Sequence, residues 1–182
     1  KHGTEEAKQE LVPRMAKGEI FFSIGMSEPD SGSDLASIRS TATKTDGGWL
    51  LNGTKVWTSQ AHNNHFFIVL VRSTPIAEAG AKHAGMSQFI MDLQAPGVEI
   101  RPIRTLNGHH DFNEVVMTDV FVPEHYLMGK LGNGWAQVIG ELAFERSGPE
   151  RYLSTFPLLN ALIDAVGPNP STEAATQLGM LV

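Results

Sequence analysis

Three segments carry residue types whose order could support chemistry. The first is Ser27-Glu28-Pro29-Asp30-Ser31-Gly32-Ser33-Asp34, where the apolar run Phe21–Met26 gives way to a tight polar loop. A glycine-containing turn at a strand end can present successive N–H groups to an anion such as a pyrophosphate. The same residues also suit an ordinary loop with an Asp turn or helix cap. The second segment is Gly48–Gln60, with Trp57 in a β-type run followed by Thr58 and Ser59. An exposed Trp there could cover a flat aromatic ligand while Thr58 or Ser59 bonds its heteroatoms. Equally, a strand Trp could serve the core. The third is Glu145-Arg146. The apolar stripe Trp135, Val138, Ile139, Leu142 projects onto both charges, so they are expected on the buried side of a helix. A carboxylate turned inward is costly unless paired or functional, and burial raises its pKa toward a general base's range. A structural ion pair of Arg146 with Glu145 or Glu150 is the competing reading.

Other candidates are weaker. His62-Asn63-Asn64-His65 and His109-His110-Asp111 do not match HExxH spacing and offer no clear third ligand, so no metal is expected and loop histidines are. Met26, Met86, Met91 and Met117 read as core filler. No GxGxxG or GxxxxGK[ST] pattern occurs, which argues against a Rossmann or P-loop nucleotide site.

The elements that must position these residues follow from periodicity. Residues 4–17 favour a short helix stopped by Gly18. Short β-type runs follow near 20–26, 37–45, 48–56, 65–72, 86–93, 97–104 and 114–122. Asp46-Gly47-Gly48 marks a hairpin, Asn52-Gly53 a turn or bulge, and Ala95-Pro96-Gly97 another turn. The loop at 73–85 is expected to be exposed. Helical spacing resumes at Trp135 and runs through Tyr152, Leu153, Phe156, Leu159 and Ile163. Gly148-Pro149 predicts a kink or two abutting helices, and Ser171 caps a further one with Glu173 in its first turn. The pattern is α+β, an antiparallel β-sandwich or barrel flanked by helices. Boundaries fall at 1–18, 19–128 and 129–182.

Composition narrows the function classes. The 182 residues carry 14 Lys and Arg against 20 Asp and Glu, a net charge of −6, with only Arg101 and Arg104 close together. That argues against a nucleic-acid footprint. No apolar run approaches the roughly 18 residues of a membrane span. Cysteine is absent, which suits a cytoplasmic protein. Neither end reads as a natural terminus, so a fragment of a longer subunit is expected.

Taken in order, the segments resemble the acyl-CoA dehydrogenase family over nearly the whole chain. Ser27-Glu28-Pro29-Asp30-Ser31-Gly32-Ser33-Asp34 is similar to its Thr/Ser-Glu-Pro-x-x-Gly-Ser-Asp signature, and Asn52–Ser59 to its Asn-Gly-x-Lys-x-Trp-Ile-Thr strand. Gly97-Val98, Asn113-Glu114-Val115, Asp119–Pro123 and Gly132-Asn133-Gly134-Trp135 resemble later elements. The resemblance implies a middle β domain, the end of an N-terminal helical domain and the first helices of a C-terminal one. It implies FAD as cofactor and α,β-dehydrogenation of an acyl-CoA thioester. Met26 and Ser27 would contact the flavin ring, and Ser33 would lie near the pyrophosphate and the CoA arm. Trp57 would shield one ring face, and Ser59 would take the place of a Thr near N5. Ser27 and Ser59 stand where Thr is commoner, and Thr58 where Ile is, but both serines keep a hydroxyl. Glu145, just before Arg146, matches one of the family's two base positions, with Arg146 at the substrate. An electron-transfer flavoprotein partner and a homo- or heterotetramer are implied. The alternative is a non-catalytic subunit of a heteromeric dehydrogenase. A β-sandwich binding module without redox chemistry is a third reading, opposed by the apolar helix after 134.

Overall fold

A computed structural model describes residues 2–181; Lys1, Val182 and the side chain of Tyr152, expected in the apolar stripe, lie outside the described residues. The chain forms two compact units, residues 1–138 and 139–182.

In the first unit, helix α1 (Glu5–Ala16) precedes eight strands: β1 (Phe22–Gly25), β2 (Thr41–Thr45), β3 (Gly48–Ser59), β4 (Phe66–Arg72), β5 (Met86–Asp92), β6 (Val98–Ile103), β7 (Phe112–Pro123) and β8 (Leu127–Met128). They make one sheet in the order β6-β7-β3-β2-β4-β5-β8, with β1 beside β4. Most pairings are antiparallel, as expected. Two are not: β1 runs parallel to β4, and Thr41 of β2 bridges in parallel to Arg72 at the end of the same β4 edge. Each of the expected strands is present. The run expected to start at 37 begins only at Thr41, because Leu35–Ser37 wind into a 3-10 turn.

Local chemistry explains the boundaries. Thr4 Oγ1 accepts from Ala7 N–H at 3.1 Å and caps α1, and Gly18 at φ +70° follows its end. Ala7 and Leu11, four apart, face the sheet and join its core. Asp46-Gly47 is the two-residue loop of the β2–β3 hairpin, with Gly47 at φ +70°. Strands β4 and β5 are buried almost throughout; β4 is a nearly continuous apolar run, whereas β5 also buries Ser87 and Gln88. The core gathers Leu51, Phe67, Val69, Val71, Phe89, Met91, Val115 and Val120. Met86, Met91 and Met117 fill it as expected, whereas Met26 is half-buried.

Arg72 fixes the loops beyond the sheet end. Its buried guanidinium donates to the carbonyls of Ile38 (2.8 Å), Ala36 (2.6 Å), Lys82 (2.7 Å) and Ala84 (3.0 Å). The exposed 73–85 loop and the 3-10 turn after Ser33 are thereby held by one side chain.

Helix α2 (Gly134–Glu145) begins in the first unit. The second unit continues with α3 (Glu150–Leu153), α4 (Phe156–Val166) and α5 (Thr172–Gly179). Gly148-Pro149 does separate two helices, and a further break follows at Ser154-Thr155. Ser171 Oγ accepts from Ala174 N–H at 3.1 Å, with Glu173 in the first turn, as its sequence predicted. No helix among the described residues is long and apolar enough to cross a membrane.

Candidate functional site

The loop that ends β1 is anchored from within. Glu28 N–H donates to Ser31 O at 2.9 Å, and Ser31 N–H donates to Glu28 O at 3.0 Å, so the loop closes on itself. The Glu28 carboxylate turns inward and accepts from Arg39 N–H (2.6 Å), Ser40 N–H (2.9 Å) and Lys55 Nζ (2.8 Å). Lys55 is wholly buried, and its Nζ also donates to Met26 O at 3.0 Å. Val56 N–H donates to Ser27 O at 2.9 Å. The two motif segments are therefore joined by one ion pair and two bonds to backbone carbonyls. Burial alone would raise the Glu28 pKa, but Lys55 and the Arg39 N–H together hold it below the ordinary carboxylate value. Burial pushes the Lys55 ammonium down to about 8 although Glu28 opposes this. Sequence reading passed over both residues. The signal was a Lys in an alternating strand two positions before Trp57, and a Glu inside a turn.

A bulge sets Trp57 outward. Lys55 pairs with Val115 and Thr58 with Asn113, so Val56 and Trp57 together oppose Glu114. Trp57 sits at φ +61°, a left-handed conformation that a bulky side chain rarely adopts. Its indole is 60% exposed and meets Phe112 edge-on. Strict alternation would have put Lys55 and Trp57 on one face. The extra residue lets Lys55 point into the core while Trp57 points out. Asn52-Gly53 marks a second irregularity, here with the extra residue on β7: Asn52 pairs its side chain with Asp119, which lies at φ +47°.

The strand end past Trp57 is held by side chains. Ser23 Oγ donates to Ser59 O at 2.8 Å, and Asn113 Nδ2 donates to Thr58 O at 3.1 Å. Asn113 also bonds His62 and His110, whose rings stack with centroids 4.0 Å apart. Thr58 is fully buried and its hydroxyl has no partner among the described residues, whereas Ser59 is exposed. Of the two hydroxyls offered for a ligand, Ser59 alone faces outward. Thr58 faces inward because the bulge shifts the alternation.

At the far end of the loop Ser33 is exposed. Asp34 precedes the 3-10 turn but makes no side-chain cap bond. Its carboxylate accepts from Ser37 Oγ at 2.6 Å and pairs with Lys82 Nζ at 2.6 Å. A Cβ built on Gly32 meets nothing within 4 Å, so the backbone there lies open.

The expectation for Glu145 and Arg146 needs correction. Both are exposed, Glu145 with 61% of its side chain free. Its partner is neither Arg146 nor an apolar pocket but Arg151, with Nη2 3.0 Å from Glu145 Oε1. The stripe is covered only toward its start: Val138 is buried and Trp135 and Leu142 are half-buried, whereas Ile139 is 49% exposed. Helical periodicity marks the apolar side of a helix but does not show that another element covers it.

The residues of the first unit fit one edge and one face of a flavin ring. The carbonyls of Met26, Ser27 and Ser59 are all engaged within the protein. The Ser27 and Ser59 hydroxyls make no hydrogen bond among the described residues. The wall therefore offers donors beside an exposed indole, which suits the acceptor atoms of a flat heteroaromatic. The open backbone at Gly32 suits the close approach of a phosphate.

The mixed sheet, with its strand-end loop locked to the bulged tryptophan, has the architecture of a middle β domain. The chain belongs to the acyl-CoA dehydrogenase family: residues 23–120 match "Acyl-CoA dehydrogenase, middle domain". The chain is 45% identical over 145 residues to acyl-CoA dehydrogenase FadE34 of Mycobacterium tuberculosis, covering 80% of this chain and 20% of that protein. Acyl-CoA dehydrogenase FadE29 of the same organism is 37% identical over 174 residues, covering 94% of this chain and 44% of that one. Among solved structures, the ChsE4-ChsE5 complex from Mycobacterium tuberculosis superposes with a TM-score of 0.80 at 30% identity, covering 99% of this chain and 48% of that one. The chain thus spans a fifth to just under half the length of these relatives.

Proposed function

We propose that this chain supplies the flavin-facing wall of an acyl-CoA dehydrogenase that carries out α,β-dehydrogenation of an acyl-CoA thioester. The observation that carries the reading is Trp57, exposed on a strained bulge and locked to the Ser27 segment through Lys55 and Glu28. Backbone strain of about 1–3 kcal/mol at a non-glycine residue persists only where the surrounding structure holds it, and such residues cluster at functional sites. FAD, when bound, supplies the acceptor for the β-hydride. Trp57 would cover one face of its ring and exclude water there. Met26 and Ser27 would hold the ring edge, Ser59 would serve the reactive part of the ring, and Ser33 would serve the pyrophosphate and the CoA arm. Glu145, ionised, takes the α-proton onto a carboxylate oxygen, with Arg146 beside it at the substrate. Arg151 holds Oε1 of Glu145 at 3.0 Å, which leaves Oε2 to accept the proton. The relatives' printed names support the acyl-CoA class. The reading takes an electron-transfer flavoprotein as electron acceptor and a homo- or heterotetramer as the assembly.

The test is flavin content. Purified full-length protein should be yellow and quench tryptophan fluorescence on FAD addition, and Trp57→Ala should lose most of that quenching. A colourless protein that takes up no FAD would contradict the reading. In that case the second reading stands, a structural subunit of a heteromeric dehydrogenase. The Glu145–Arg151 pair and the likeness to a chain of a two-component complex favour it.

A further inference from the structure

Lys55 is given no contact with cofactor or substrate in the function proposed above, yet it is the largest fully buried side chain of the described residues and carries an ammonium group. A buried ion pair is poor support for stability, since well-packed apolar side chains of similar volume serve as well or better. Its presence therefore calls for another explanation, and its partners indicate one. Nζ reaches Met26 O at 3.0 Å, one residue before Ser27, and Glu28 Oε1 at 2.8 Å, one residue after it. The backbone of Lys55 itself leads into the bulge two residues before Trp57, and Val56 N–H holds Ser27 O at 2.9 Å. One side chain thus spans the two segments that carry the ring-edge hydroxyl and the ring-face indole. Glu28 extends the hold to the chain beyond the loop, through the N–H groups of Arg39 and Ser40.

We propose that Lys55, acting with Glu28, is a positioning residue that sets the Met26–Ser27 strand end against the Trp57 bulge, so that edge donor and face-covering ring address one bound flavin. This rests on the flavin reading of the wall. Lys55 touches neither cofactor nor substrate; it acts through the Met26 carbonyl and the Glu28 loop. Removing Lys55 alone would leave a carbonyl and a carboxylate short of a partner in the interior. Removing both charges together leaves the shape nearly unchanged and leaves Val56 N–H to Ser27 O to hold the two segments without the side-chain link.

The test uses the full-length protein and the double substitution Glu28→Gln/Lys55→Met. Amide exchange in the ligand-free protein should quicken about tenfold or more in peptides covering 26–31 and 56–59, with β4 and β5 unchanged. FAD should bind about tenfold more weakly, its visible bands should shift, and kcat should fall about 100-fold with KM little changed. A folded double variant with wild-type exchange in those peptides would overturn the proposal. So would faster exchange with an unchanged flavin spectrum and kcat, which is what a merely structural pair would give. If the double variant does not fold, Glu28→Gln alone is judged by the same criteria. Failure of the wild type to take up FAD would instead sink the functional reading, and amide exchange would still decide whether Lys55 holds the two segments together.

Discussion

Trp57 meets Phe112 edge-on, with ring centroids 6.0 Å apart and planes at 75°. Phe112 begins the strand that faces the bulge, so the indole is steadied from one side and open on the other. Its position at φ +61° is unfavourable for the protein alone. Trp57→Gly should therefore change the stability of the ligand-free protein by less than about 1 kcal/mol, the relieved strain offsetting lost contact and added chain entropy. FAD binding should fall sharply in the same variant. Urea unfolding beside FAD titration checks both.

The buried pair gives a pH signature. Lys55 titrates near 8 when folded and near 10.5 when unfolded, so between these values the unfolded chain binds more protons. Stability then rises with pH across that window from this group. Tyr126, whose phenol burial and Glu10 keep protonated beyond its usual range, acts oppositely, but only above its ordinary value of 10. Glu28 acts at the acid end. Its folded pKa lies below 4.5, so its contribution is present above that pH and is lost as pH falls through the folded value. Glu28→Gln/Lys55→Met should flatten both limbs in denaturation followed at pH 3–5 and pH 8–10.

Much of the wall was legible in the sequence, and the reasons are local. Asp46-Gly47 sets a hairpin, the β-type runs near 65–72 and 86–93 become β4 and β5, and the Ser27–Asp34 and Asn52–Ser59 segments stand out by composition. What stayed hidden is long-range. The parallel pairing of β1 with β4 depends on residues 44 apart in sequence, Phe22 with Phe66. The bulge at Trp57 is set by its pairing with β7 and breaks the alternation that a single strand suggests. The inward turn of Glu28 is fixed by Lys55 and by backbone groups 11 and 12 residues on. At Glu145 the pattern misled, because an apolar stripe is a property of one helix and burial is a property of its neighbours.

Gly53 is a close-approach position. It adopts φ +136°, and a Cβ there would stand 2.2 Å from Ser40 Oγ and 2.7 Å from Ser40 Cα. Gly53→Ala should destabilise the protein by about 2 kcal/mol or more, from conformational strain and forced displacement of the Ser40 backbone. Thermal unfolding measures this directly.

Arg72 closes the other end of the site. Arg72→Met would leave four carbonyls without their donor, at a loss on the order of 3 kcal/mol. The 73–85 loop should become the first site of limited proteolysis, while exchange protection in β5 persists.

The central claim is that this wall and Glu145 serve one dehydrogenation. The direct measurement is anaerobic mixing of FAD-loaded full-length protein with an acyl-CoA, following flavin absorbance in wild type and in Glu145→Gln. Wild type should bleach, and Glu145→Gln should keep its FAD but bleach at least about 1,000-fold more slowly. Bleaching at the wild-type rate in Glu145→Gln would contradict the assignment of the base to this chain.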